Sequence, residues 1–131
     1  MKKILITGSR NYGLCEAICN LFDATPDIEY ETASRSNGYH LDTSEGQKKL
    51  AEKYIEGDFD IFINNSAIWK FQQVMVVEAV YNAMEEADRK GHIINLGSTA
   101  DTGVKGRTWR YPTEKKALKA YNRDLTYKAM G

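Results

Sequence analysis

The sequence predicts an α/β domain: a Rossmann-like, doubly wound parallel sheet of about five strands in the order 3-2-1-4-5, with helices on both faces. Three observations point there. Short β-branched runs alternate with amphipathic stretches along the chain, the runs end in glycine, serine or asparagine, and 131 residues suit a single domain. With 42% hydrophobic and 27% charged residues the chain can build a core, unlike a disordered segment.

Lys2 to Thr7 is a β-branched run suited to burial on both sheet faces, and it ends at Gly8. Leu14, Ala17, Ile18, Leu21 and Phe22 repeat at helical spacing, and Pro26 closes that helix. Ile28 to Ala33 alternates as a second strand before the turn formers Ser34 to Gly38, and Tyr39 to Asp42 reads as a brief third strand. Asp42, Thr43 and Ser44 are all suitable N-caps for a second helix, whose buried face is Leu50, Ala51, Tyr54 and Ile55 and which Gly57 stops. Phe59 to Ile63 is the fourth strand, followed by a long helix from about 71 to 90 and a fifth strand from Ile93 to Leu96. Pro112 suits the first turn of a last helix carrying Ala117, Leu118, Tyr121 and Leu125.

Charge and hydropathy exclude several classes of function. Eighteen Lys plus Arg balance 18 Asp plus Glu, so the net positive charge of a dedicated nucleic-acid binder is missing and no nucleic-acid partner is expected. No run approaches the roughly 18 apolar residues of a membrane span, and the three apolar residues after Lys3 fall short of an export signal. A soluble, cytoplasmic protein without a membrane partner is expected. Cys15 and Cys19 stand four apart in a helical pattern with no histidine nearby, which favours reduced thiols and no metal site.

In a doubly wound sheet a ligand lies at the carboxyl ends of the strands, where the strand order reverses. After the first strand, Gly8 permits a tight turn and Gly13 a close backbone approach, and the helix start that follows offers N–H donors and a positive dipole end to a pyrophosphate. Plain strand-to-helix connections look the same. After the second strand stands Ser34-Arg35, where an NAD-preferring site carries an acidic residue. Arg35, with Arg10 converging on it, would favour a 2'-phosphate, although an isolated loop arginine is usually just solvated. After the fifth strand comes Ser98, and Tyr111 and Lys115 follow four residues apart on one face of the last helix. An ammonium and a helix N-terminus beside a phenol favour the phenolate, and a hydroxyl at Ser98 would hold a reacting oxygen.

Taken together and in order, these segments resemble the short-chain dehydrogenase/reductase family. Thr7-Gly8-x-x-x-x-Gly13-Leu14 resembles its TGxxxGxG turn, Asp42-Thr43-Ser44-Glu45 its adenine-contacting segment, and Asn64-Asn65-Ser66-Ala67 its NNAG sequence. Ile94-Asn95-Leu96-Gly97-Ser98 resembles the strand that bears the active-site serine, and Tyr111 to Lys115 the YxxxK signature. The resemblance implies Tyr111 as catalytic acid/base, Lys115 as the group that lowers its pKa and binds the nicotinamide ribose, and Ser98 as the carbonyl-polarising hydroxyl. It implies a cofactor, NADP(H) with NAD(H) as the alternative, held by Gly8, Ser9, Arg10, Gly13 and Leu14 in the turn. Ser34, Arg35, Asp42 and Thr43 would hold its adenosine half, and Asn65, Ser66, Ala67, Tyr111 and Lys115 the nicotinamide half.

Several features depart from the family pattern. One extra residue separates Gly8 from Gly13, Cys15 replaces the third glycine, and no asparagine begins the long helix, where Lys70 or Gln72 falls instead and Asn82 lies too far along. The usual substrate-binding segment does not follow the last helix in this sequence, which fits a natural minimal version or a truncated chain equally. Residues 1–131 are expected to form one cofactor-binding domain, with residues 66 to 73 and 99 to 110 left to wall the site, the latter as a lid or as an ordinary mobile loop. The expected activity is interconversion of a small carbonyl and a secondary alcohol by hydride transfer; the alternative is a non-catalytic NADP(H)-binding module. The long helix carries apolar residues on more than one side, Val76, Val80 and Ala83 among them. A homodimer or homotetramer through the helices at about 71–90 and 112–129 is therefore expected.

Overall fold

From Ile4 onward the strand β1 (Lys2–Thr7) is buried on both faces, which explains its uninterrupted Ile4-Leu5-Ile6. The computed structural model describes residues 1–11, 13–65, 72–96 and 110–130, with 72, 110–116, 127, 129 and 130 placed by backbone alone. Along the chain follow α1 (Gly13–Asp23), β2 (Ile28–Ala33), a 3-10 turn (Arg35–Asn37), α2 (Ser44–Glu56), β3 (Ile61–Asn64), α3 (Gln72–Glu86), β4 (His92–Asn95) and α4 (Arg110–Met130). The four strands are all parallel, in the order β2-β1-β3-β4, with Ile4 opposite both Tyr30 and Ile61, and Ile61 opposite His92.

Two clusters form the core. Leu5, Phe62 and Ile93 face Leu50, Ala51 and Tyr54 of α2 and Val76, Val80 and Met84 of α3. On the opposite sheet face, Ile4, Ile6 and Ile63 pack on Cys15 and Cys19 of α1. Among the described helices α1 covers that face alone, whereas α4 lies beside α3. Tyr121 Oη donates to Glu78 Oε2 at 3.3 Å, and Lys128 Nζ stands 3.6 Å from Glu85 Oε1. Both pairs join positions 43 apart, so α3 and α4 run parallel in a fixed register.

Two sequence expectations are corrected here. Tyr39 to Asp42 is not a strand, because its backbone acceptors serve the start of α2 rather than the edge of β2. The His40 carbonyl accepts from Thr43 N–H at 3.1 Å and Thr43 Oγ1 at 2.7 Å, and the Leu41 carbonyl accepts from Gln47 Nε2 at 3.1 Å. The sheet is thus 2-1-4-5 in the expected numbering. Second, Val76 and Val80 are not left for a partner: both are fully buried within the chain, between the sheet and α2, and Ala83 packs against the same cluster. The wide stripe of α3 is consumed by α2 on one side and the sheet on the other, so it carries no argument for an oligomer.

The helix stops also have a cause that the glycines at 57 and 91 obscure. Asp58 N–H donates to the Ile55 carbonyl and Phe59 N–H to that of Tyr54; Asp88 and Arg89 repeat the pattern on Glu85 and Met84. These are Schellman ends. Their left-handed residues are aspartates, Asp58 at φ 55° and Asp88 at φ 51°, a side chain that tolerates this conformation better than most.

Thr43 caps α2, its Oγ1 accepting from Gly46 N–H at 3.0 Å. Gly46 packs so closely on the His40 carbonyl that a Cβ there would collide with it. Gly46→Ala is therefore expected to lower stability by about 1–3 kcal/mol in urea titration, although alanine is the better helix former by about 1 kcal/mol. A stabilised variant would show that the 39–43 turn is not held as described.

Candidate functional site

The strand ends converge on Gly8. Its N–H donates to the Ala33 carbonyl at 2.9 Å, joining the ends of β1 and β2. Thr7 Oγ1 accepts from Asn65 N–H at 2.9 Å, joining β1 to the end of β3. Gly8 has φ 133°, and a Cβ on it would stand 2.9 Å from Asn65 Nδ2, 3.1 Å from Cys15 Cβ and 3.2 Å from Cys15 Sγ. Only glycine satisfies both the conformation and the contact.

Gly13 opens α1 at φ 58°, with no atom within 4 Å of where a Cβ would stand. Among the described residues nothing outside the helix crowds this start of α1, and a helix N-terminus offers first-turn N–H groups and a positive dipole end of the kind that receives a pyrophosphate. Cys15 turns the other way. It is buried under the turn, its Sγ 3.9 Å from that of Cys19. Missing the third glycine costs little here, because Gly8 supplies the room that Cys15 occupies. Burial, then the neighbouring Cys19, pushes the Cys15 thiol up to about 12, and burial raises Cys19 too. Both thiols are shut off from solvent.

Arg10 does not converge on Arg35. Its side chain folds back over α1, donating through Nε to Tyr30 Oη at 3.1 Å and through Nη2 to Asn20 Oδ1 at 2.9 Å and Asp23 Oδ2 at 2.7 Å. Tyr30 Oη donates to Asp23 Oδ1 at 2.7 Å, which with Arg10 holds the Asp23 carboxyl below its ordinary range. These three partners outcompete a solvated position near β2's end. Arg35 remains there, its side chain 76% exposed and its Nη2 in an ion pair 3.6 Å from Asp42 Oδ2. The turn that presents it is stitched locally: Asn37 Oδ1 accepts from Ser34 N–H and Asn37 Nδ2 donates to the Thr32 carbonyl, both at 2.7 Å. Thr43 is brought to the same rim, where its side chain caps α2.

At the ends of β3 and β4 stands a set of amides that sequence reasoning passed over. Asn64 is fully buried, its Nδ2 donating to the Gln73 carbonyl at 3.2 Å and to Asn95 Oδ1 at 3.0 Å. Asn95 Nδ2 in turn donates to Asn122 Oδ1 at 2.7 Å. Among the described residues Asn64 Oδ1, itself buried, has no partner. The signal was available: Asn64 and Asn95 occupy the inward-facing parity of Phe62 and Ile93, where an apolar residue is the norm. Near the head of α3 the amide of Gln73 is buried, and Asn82 is exposed; the side chain of Gln72 lies outside the described residues.

Ser66, Ala67, Lys70, Ser98 and the 99–109 stretch lie outside the described residues, and Tyr111 and Lys115 are placed by backbone in the first two turns of α4. The 43-position offset between α3 and α4 sets Gln73 level with position 116. Position 115 is therefore level with Gln72 at the head of α3, and position 111 stands one turn beyond it, past the end of β4. Two described features suit a dinucleotide: the glycine-opened start of α1 and a cation at the end of β2. A groove of about 860 Å³ between α3, β4 and α4 holds none of the glycine-turn residues and is a separate surface.

Three solved structures share this architecture. A short-chain dehydrogenase/reductase from Saccharomyces cerevisiae superposes with a TM-score of 0.71 at 14% identity, over 97% of this chain and 65% of its own. The 3-alpha-hydroxysteroid dehydrogenase from Pseudomonas sp. B-0831, in complex with NADH, gives 0.69 at 18% identity, over 91% of this chain and 69% of its own. The closed form of serine dehydrogenase with NADP+ gives 0.74 at 17%, over 98% and 67%. The chain has the short-chain dehydrogenase/reductase fold. It spans about two thirds of the length of each of these dehydrogenases. No protein-family model and no curated protein sequence matches it.

Both glycines of the turn are left-handed, but only Gly8 is also crowded. Gly8→Ala is expected to cost about 2–4 kcal/mol and Gly13→Ala about 1 kcal/mol in urea denaturation. Equal losses would show that Asn65 and Cys15 do not press on Gly8.

Proposed function

We propose that the protein is a nicotinamide-dependent oxidoreductase that interconverts a small carbonyl compound and a secondary alcohol, with NADP(H) preferred over NAD(H). The observation that carries this is the pairing of a glycine-opened helix start after β1 with a register of α4 that sets positions 111 and 115 at and beyond the head of α3. A pure binding module needs the first and not the second.

In this reading the bound cofactor supplies or accepts the hydride. Tyr111 gives the proton to the substrate oxygen in reduction and takes it back in oxidation, Lys115 favours its phenolate, and Ser98 holds the oxygen with a hydrogen bond. The N-terminal dipole of α4 adds to the lysine's effect on the phenol. Gly8, Ser9, Gly13 and Leu14 would cradle the pyrophosphate, Ser34 and Arg35 the 2'-phosphate, Asp42 and Thr43 the adenine, and Asn65 to Ala67 the ribose. The NADP preference rests on Arg35 alone, since Arg10 is engaged by Asp23, Asn20 and Tyr30.

One arginine to a phosphate is worth roughly 1.5 kcal/mol or more, about tenfold in affinity. Calorimetric titration is expected to show NADPH bound about tenfold tighter than NADH, equal binding in Arg35→Ala, and an unchanged ratio in Arg10→Ala. Equal binding by the unaltered chain would remove the preference from the proposal.

Tyr111→Phe keeps the ring and removes the transferable proton. Turnover in a survey of aldehydes and ketones with NADPH is expected to fall about 10²-fold or more while NADPH still binds. If the unaltered chain binds NADPH and turns over no carbonyl or alcohol, the binding-module reading replaces the enzyme.

A further inference from the structure

The amides at the strand ends have a direction. Asn64 Nδ2 is committed to two acceptors, the Gln73 carbonyl and Asn95 Oδ1. Asn95 must therefore turn its oxygen inward to Asn64 and its nitrogen outward, where it meets Asn122 Oδ1 at 2.7 Å. The orientation is set at the buried end, by a residue with no exposed surface, and passed to α4 as a donor aimed at one position of the helix.

That helix also packs through apolar contacts, which set its register along the axis only loosely. Leu118 is fully buried, and Ala117, Tyr121 and Leu125 are half-buried, but apolar contact is non-directional. The pairs with Glu78 and Glu85 join two flexible surface side chains and restrain little, whereas Asn95, although its bond to Asn122 is also solvent-exposed, is held at its other end by the buried Asn64. Positions 115 and 111 precede Asn122 by seven and eleven residues. On an α-helix both point within about 20° of its direction, roughly 10 and 16 Å further along the axis.

We propose that Asn95 and Asn122 are positioning residues: their hydrogen bond sets the register of α4 against the end of β4, and so the height at which positions 111 and 115 stand at and beyond the head of α3. The inference rests on the oxidoreductase reading for its consequence in turnover, and on geometry alone for the register. A misplacement of about 1 Å at reacting groups can cost on the order of 10²-fold in rate, and a one-turn slip of a helix is about 5.4 Å.

The test uses the full chain, with kcat for an aldehyde and NADPH and amide hydrogen exchange across residues 110–117 and 72–86. Asn122→Ala is expected to lower kcat about tenfold or more and to speed exchange in 110–117 but not in 72–86. Asn95→Leu removes the donor to Asn122 at similar side-chain size and should reproduce both effects. Asn122→Asp retains the acceptor and should keep kcat within about threefold, while Tyr121→Phe, which breaks the exposed bond to Glu78, should leave both readouts unchanged. Unchanged kcat and exchange in Asn122→Ala would overturn the proposal, as would losses in Asn122→Asp or Tyr121→Phe equal to those in Asn122→Ala. If the unaltered chain neither binds nor oxidises NADPH, the oxidoreductase reading falls, and the exchange comparison still accepts or rejects the register contact.

Discussion

The close approach at Gly8 is the constraint on which the rest of the strand-end architecture depends. β1 leaves the sheet there, α1 returns over it through Cys15, and the end of β3 meets it through Asn65, all within about van der Waals distance of one missing side chain. Because the glycine lies beneath the helix, α1 can sit low on the sheet with a cysteine where a third glycine would otherwise be needed. The uncrowded start of α1 at Gly13 follows from that seating, since a helix raised by one methyl group would no longer present its first turn at the level of the strand ends.

The economy of the chain shows in how backbone groups freed by the missing strand are used. The carbonyls of His40 and Leu41 would have paired with a sheet edge; they accept from Thr43 and Gln47 instead, and so become part of the cap of α2. Gly46 is pressed against His40 for the same reason. The helices are then distributed unevenly, three beside one another on the face of Leu5 and Phe62 and α1 on the face of Ile4 and Ile6 among those described. That distribution accounts for α3: flanked by α2 and α4, it needs apolar residues on more than one side without any second subunit.

Polar side chains do at the strand ends what apolar packing does elsewhere. Thr7 ties β1 to Asn65, and Asn64 ties β3 to both α3 and β4. Buried networks of this kind cost stability unless nearly every member is satisfied. Among the described residues Asn64 Oδ1 is left without a partner although it is buried. Arg10 shows the opposite outcome, a cation beside the candidate phosphate site that is neutralised by Asp23 and held away from it.

By itself the sequence determined the class of fold, the two outer bounds of β1 and β2, the glycine turn and the order of the segments that resemble a dehydrogenase site. These are readable because they depend on local periodicity and on residue types with few alternative uses, such as Gly8 and Gly13. What only the tertiary structure decided depends on competition between distant partners. Tyr39 to Asp42 has strand-like composition, but the contest for its carbonyls was won by Thr43 and Gln47. Val76 and Val80 look exposed on a helical wheel until α2 is set beside them. Arg10 and Arg35 are alike as loop arginines, and only the placement of Asp23 and Tyr30 separates a tethered cation from one standing at the end of β2. The amides of Asn64, Asn95 and Asn122 lie 27 to 31 positions apart in successive pairs, too far for any local pattern to join them.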